Sequence, residues 1–176
     1  MKKTALIILA YAVFCLSGCL DNGSDSPDEA AKITLINPEP YDGTENITLE
    51  WGGTSSSALF SKSPLLPFGV FVPEQMETYE YHDGKGWGYD DKRQEFTLFE
   101  EFQIDYADRV NEQNTELESY EEYVGTENAE GILFDYFVFE VRNAKYVARF
   151  RYFEEEKETA LPMFLEVLRH LQYVTD

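Results

Sequence analysis

The chain has 176 residues and a formal net charge of −20, from 34 acidic and 14 basic residues. This length suffices for one domain with a sizeable core, and the charge excludes nucleic acid and anionic membrane surfaces as electrostatic partners. Both cysteines, Cys15 and Cys19, lie close to the N-terminus, so the rest of the chain has neither a disulfide nor a thiolate metal site. The acidity admits two readings: a coat of solvated carboxylates suited to high salt or high pH, or a surface for cations or a basic partner.

Lys2 and Lys3 form a basic start, residues 4–16 carry no charge, and polar residues resume at Asp21. This is the layout of a secretory signal. Its apolar run falls short of the about 20 residues that span a bilayer. The signal closes on Leu16-Ser17-Gly18-Cys19. That tetrad resembles the lipobox of bacterial lipoproteins, in which the cysteine is diacylated and becomes the new N-terminus. The resemblance implies a signal peptide over residues 1–18 and a lipid on Cys19. It implies anchorage on the outer face of the cell membrane, a Gram-positive arrangement being favoured, or in the outer membrane of a two-membrane cell, because Leu20 follows the cysteine. Two acyl chains are enough for stable anchoring.

Residues 19–32 are small, polar and acidic and read as a flexible tether. A single domain is expected over 33–176. Short β-prone runs at 33–36 and 47–51, separated by turn formers, predict a loose hairpin. The Gly- and Ser-rich stretch 52–64 is expected to be loop. Residues 68–73 (Phe-Gly-Val-Phe-Val-Pro) read as a strand stopped by proline. Residues 77–82 alternate, with Tyr79 and Tyr81 on one face. Asp83-Gly84 is a hairpin signal, after which residues 85–89 return. Residues 95–106 predict a longer strand with Phe96, Leu98, Phe102, Ile104 and Tyr106 sharing parity.

A helix is expected over 114–124, with a capping box from Thr115 to Glu118 and a stop at Gly125. Two dense strands follow at 131–141 and 145–153, joined by a tight turn at Arg142-Asn143-Ala144. The last element is a helix capped by Thr159, with Pro162 in its first turn. Leu161, Phe164, Leu165, Leu168 and Leu171 make its apolar stripe. The fold class is therefore α+β: an antiparallel sheet with a central helix and a C-terminal helix packed on it.

The strand 68–73, the hairpin 135–153 and the helix 159–173, with the expected helix near 114–124 between them, resemble a PsbP-like domain. The resemblance covers about residues 66–176. The chain is also similar to small lipoproteins of Bacillota that join a lipobox, an acidic tether and such a domain. It implies a binding or assembly module rather than an enzyme, and it carries over no ligand or metal residue.

The residues themselves offer little catalytic material. His82 and His170 are the only histidines, and His170 suits the C-terminal end of the last helix, where a partial positive charge is favoured. There is no Gly-x-Ser-x-Gly elbow, HExxH, P-loop or GxGxxG. No catalytic residue, metal site or cofactor is assigned. Asp83, Asp90 and Asp91 are explained by turns, and Glu154 to Glu156 by the helix start that follows them. The candidate binding site is aromatic: Trp87 between Gly86 and Gly88, with Tyr89, Tyr79 and Tyr81 around it. The flanking glycines are expected to leave the indole open to a partner, such as another envelope protein. Alternatives are a carboxylate-dependent hydrolase of the envelope and an acidic cation-binding lipoprotein.

Overall fold

The computed structural model describes residues 31–81, 84–89 and 91–175. The signal segment, Cys19, nearly all of the tether, His82, Asp83 and Asp90 lie outside the described residues. Among the described residues eleven strands form two sheets, and one α-helix lies near the C-terminus. Among the described residues no helix is long and apolar enough to cross a membrane.

The first sheet contains β1 (Glu39–Pro40), β2 (Asn46–Trp51), β3 (Thr54–Lys62), β4 (Phe68–Pro73) and β11 (Gln172–Tyr173), in the order β1-β11-β4-β3-β2. The second contains β5 (Glu77–Glu80), β6 (Gly84–Gly88), β7 (Glu95–Glu100), β8 (Tyr123–Ala129), β9 (Ile132–Val141) and β10 (Ala144–Phe153), in the order β5-β6-β7-β10-β9-β8. Every pairing in the second sheet is antiparallel. The single helix, α1 (Lys157–Arg169), packs against β2, β4 and β10 and so touches both sheets.

Period-two alternation decides what lies between the sheets. The cross-strand row Trp87, Phe96, Phe150 and Asp135 faces inward. Phe68 of the first sheet meets Tyr146 edge-on at 4.7 Å and Phe139 at 5.6 Å. Phe164 of α1 stacks on Phe150 at 5.1 Å. Leu161, Phe164, Leu168 and Leu171 are buried as the apolar stripe requires, whereas Leu165 is only partly covered.

The strands expected at 68–73, 131–141 and 145–153 form, and Arg142 and Asn143 take positive φ angles of 53° and 66° in the tight turn between β9 and β10. Several expectations are corrected. Residues 52–64 are not a loop, because β3 occupies most of them. Its serines point largely to solvent while ladder bonds to β2 and β4 hold the backbone. The hairpin of 33–36 with 47–51 is also absent, since β2 pairs with β3 instead.

The central helix over 114–124 does not form. There the backbone is taken by tertiary partners. Ile33 N–H donates to the Ser119 carbonyl at 2.7 Å, Glu121 N–H to the Ile33 carbonyl at 3.0 Å, and Asn114 N–H to the Tyr123 hydroxyl at 2.7 Å. The Glu122 carboxylate accepts from the Leu35 and Ile36 amides. These long-range bonds satisfy the groups a helix would have satisfied locally. The Thr115–Glu118 capping box therefore has no helix to cap, and Gly125 lies inside β8 at a register shift.

In the last helix Thr159 is not the cap. A 3₁₀ turn, Glu154–Glu156, leads into α1, and the Thr159 hydroxyl donates back to the Glu156 carbonyl at 3.0 Å. Pro162 lies inside the helix rather than in its first turn. The strand from 95 also ends early: β7 stops at Glu100, and the 3₁₀ turn Glu101–Gln103 throws Phe102 outward, 84% exposed.

Candidate functional site

The sequence Gly84-Lys85-Gly86-Trp87-Gly88 alternates in β6, so Lys85 and Trp87 share one face and the three glycines share the other. Trp87 is 0% exposed. Its indole N–H donates to the Ser61 hydroxyl of β3 at 2.8 Å, and its ring stacks on Phe96 at 5.5 Å. Lys85 reaches the same strand, donating to the Lys62 carbonyl, and burial pulls its ammonium below the usual lysine range. The expectation of an open indole at Trp87 is thus overturned: the residue ties the two sheets together. The glycines clear the opposite face instead.

On that face a Cβ at Gly86 would stand 2.9 Å from the Tyr81 ring, and one at Gly84 2.5 Å from the Leu98 carbonyl oxygen. The space is filled by Tyr81, Glu95 and Phe99. Glu95 is buried and accepts hydrogen bonds from the Tyr81 hydroxyl at 2.8 Å and the Thr97 hydroxyl at 2.7 Å. Burial first, and the Glu95 carboxylate second, push the Tyr81 phenol up to about 12.

Arg149 of β10 stands next to Glu95, with Nη2 3.6 Å from the Glu95 carboxylate. Its guanidinium lies 5.0 Å from the Phe99 ring centre and 5.5 Å from that of Phe134, where cation–π attraction favours it. Its Nε is buried and has no hydrogen-bond partner among the described residues. Arg149, Tyr81 and Phe99 line a cleft of about 330 Å³ that the loop residues Gln103, Ile104, Asp105 and Arg109 complete. Arg149, Arg109 and the exposed Asp105 border it, and Glu95 and Glu127 stand 3.6 and 4.0 Å from the two guanidiniums. Such a fork of donors, held between rings and braced by a buried carboxylate, suits a planar anion.

The other expected site residues fall elsewhere. The Tyr79 hydroxyl donates to the Tyr89 carbonyl at 2.9 Å, with Lys92 4.8 Å above its ring. The Tyr89 hydroxyl lies 3.5 Å from the Met163 sulfur, and burial raises its pKa. Of the four aromatics only Tyr81 reaches the cleft. Arg149 was missed, although its sequence signal exists: Lys145, Arg149 and Arg151 share parity in a strand whose other face is apolar and aromatic, which marks a polar face under some cover.

A second polar cluster is sealed. Asp135 is 0% exposed and accepts from the Thr126 and Tyr152 hydroxyls. Burial raises its pKa against those hydrogen bonds. It lies on β9, tied to β8 through Thr126 and to β10 through Tyr152. Glu155 and Glu156 grip Arg93 at 2.7 and 2.6 Å, and His170, the C-cap of α1, lies 3.2 Å from Glu166. Among the described residues no group of three or more His, Cys, Asp or Glu side chains is arranged to hold a metal. No family model matches this chain, and no curated protein or solved structure matches it either.

Proposed function

We propose that the chain is a lipid-anchored extracytoplasmic binding module with a PsbP-like domain, and that its ligand is a small organic acid held in the Arg149 cleft. The anchor rests on the Leu16-Ser17-Gly18-Cys19 tetrad and the acidic stretch that separates it from Leu35, the first buried residue among those described. The PsbP-like reading is supported by an antiparallel sheet ending in a C-terminal amphipathic helix; without a helix at 114–124, it rests on the strands and α1 alone.

The observation that carries binding is Arg149. Its guanidinium lines an open cleft, its Nε is unpartnered among the described residues, and its facing carboxylate is already satisfied by two hydroxyls. A ligand carboxylate meets the part of the guanidinium that the cleft leaves exposed, the Arg149 side chain being 19% exposed. The neighbouring groups bind rather than react: Tyr81, with its phenol near 12, stays a hydrogen-bond donor at neutral pH, and Glu95 is enclosed.

Two measurements test this. Radiolabelled palmitate enters the wild type and not Cys19→Ala; equal labelling of both refutes the anchor. For the cleft, propionate, succinate and benzoate are titrated into isotope-labelled full-length protein while the Arg149 Nε–H signal is followed. A saturable shift is expected, missing with the matching amides, and by calorimetry the binding itself should be lost in Arg149→Lys, which keeps the charge but loses the fork. No shift with any of the three acids removes the reading.

A further inference from the structure

Trp51, the other tryptophan, ends β2 immediately before the turn Gly52-Gly53, whose φ angles of 52° and 80° close the hairpin onto Thr54. The ring is only partly covered. It separates two hollows of about 290 and 320 Å³ that share Glu50, Trp51 and Gly52. The larger part of the apolar lining comes from α1, which brings Leu161, Pro162 and Leu165 to the first hollow.

Charge surrounds this apolar floor unevenly. Glu50, Glu116 and Glu166 line the first hollow against one guanidinium, Arg169. Arg169 is already engaged by Glu166 at 3.2 Å and the Tyr120 hydroxyl at 3.3 Å, Glu166 also touches His170 at 3.2 Å, and Glu116 is engaged by Lys157 at 2.7 Å. Glu50 is exposed and makes no side-chain hydrogen bond or ion pair among the described residues. A hard divalent cation wants oxygens converging on one point, whereas here the carboxylates stand around an indole and two leucines. An anion is repelled. A flexible organic polycation satisfies both features, because methylenes cover the apolar floor and ammonium groups meet the ring face and the carboxylates.

We propose that the Trp51 groove binds a linear aliphatic polyamine, its carbon chain against Trp51 and Leu165 and its ammonium groups at Glu50 and Glu166. The site lies on β2 and α1, away from Arg149, and does not depend on the organic-acid reading.

The test uses the full-length protein in detergent micelles with spermidine as probe, in about 150 mM salt so that diffuse attraction is screened. Because Trp87 is sealed, a change in tryptophan emission reports Trp51. Saturable binding is expected, unaffected by magnesium at equal charge. Glu50→Gln should weaken it about threefold, and Glu50→Gln with Glu166→Gln about tenfold. By calorimetry Trp51→Ala should weaken it about tenfold, with Trp51→Phe retaining most of the affinity should the alanine variant fold poorly. Displacement by magnesium, or unchanged affinity in the double variant, overturns the proposal. So does binding of a lysine-rich peptide with none of spermidine, which makes the groove a protein interface.

Discussion

In β6 the glycines flank Trp87 inside a strand, whereas in the β2–β3 hairpin they follow Trp51 at a turn. The local compositions are nearly the same, yet one indole is sealed between the sheets and the other stands between two hollows. Inside a strand, neighbours in sequence project to opposite faces. Gly86 and Gly88 therefore take nothing away from the cover over Trp87; they make room behind it for Tyr81 and Glu95. At a turn the alternation lapses, and Gly52 and Gly53 add no side chain to cover the indole, which stays only partly buried. Glycine beside tryptophan signals access only where the strand has ended.

This contrast is sharpest in truncation. Trp87→Ala should cost about 3–5 kcal/mol, measured by denaturant unfolding, because it empties a packed site and orphans the Ser61 contact. Trp51→Ala should cost much less. Equal losses would mean that the hairpin tip is as tightly packed as the core.

Adding a methyl group separates the regions a second time. Gly86→Ala drives a Cβ against the Tyr81 ring and should cost about 1–3 kcal/mol. Gly52→Ala meets nothing within 4 Å, and only its positive φ opposes it, at about 1–2 kcal/mol. The discriminating readout is the cleft: the Gly86 variant should disturb the Tyr81 and Arg149 signals, the Gly52 variant should not.

A third, smaller effect is alkaline. Tyr81 has its pKa raised in the folded state, so its contribution is full below about pH 10, the unfolded value, and is lost as pH rises towards about 12. Unfolding midpoints between pH 9 and 12 should fall less steeply in Tyr81→Phe than in the wild type. An unchanged slope would show that the phenol ionises freely and that the face behind Trp87 is open to water.

The smallest effect belongs to the rim of the groove. Glu50→Gln should change stability by no more than about 0.5 kcal/mol, since an exposed carboxylate far from core features contributes little. A larger loss by thermal unfolding would assign Glu50 a folding role and weaken its place in a binding site.

Much of the six-stranded sheet was legible along the chain. The alternation in 77–89 and the dense aromatic and β-branched strands at 131–141 and 145–153 carry their own period, and α1 carries its stripe. The segment 114–124 misled because its periodicity is real but weak: Leu117 and Tyr123 are buried, as a helix face would be. Its backbone groups found long-range partners in Ile33, Leu35 and Ile36, which no local pattern announces. The serines of β3 misled in the opposite direction, since a ladder on both sides holds a strand whose side chains favour none.

By itself the sequence determined the signal-like start, the acid excess, the strand periods and the amphipathic last helix, because each depends on neighbours within a few residues. Only the tertiary structure decided which tryptophan is buried, which face the β6 glycines clear, and that Arg149 meets Glu95. Those outcomes depend on which strands become neighbours. Arg149 and Glu95 lie on β10 and β7, which pair although β8 and β9 come between them in the chain, and the register of that pairing is set by the packing of a whole sheet rather than by either residue.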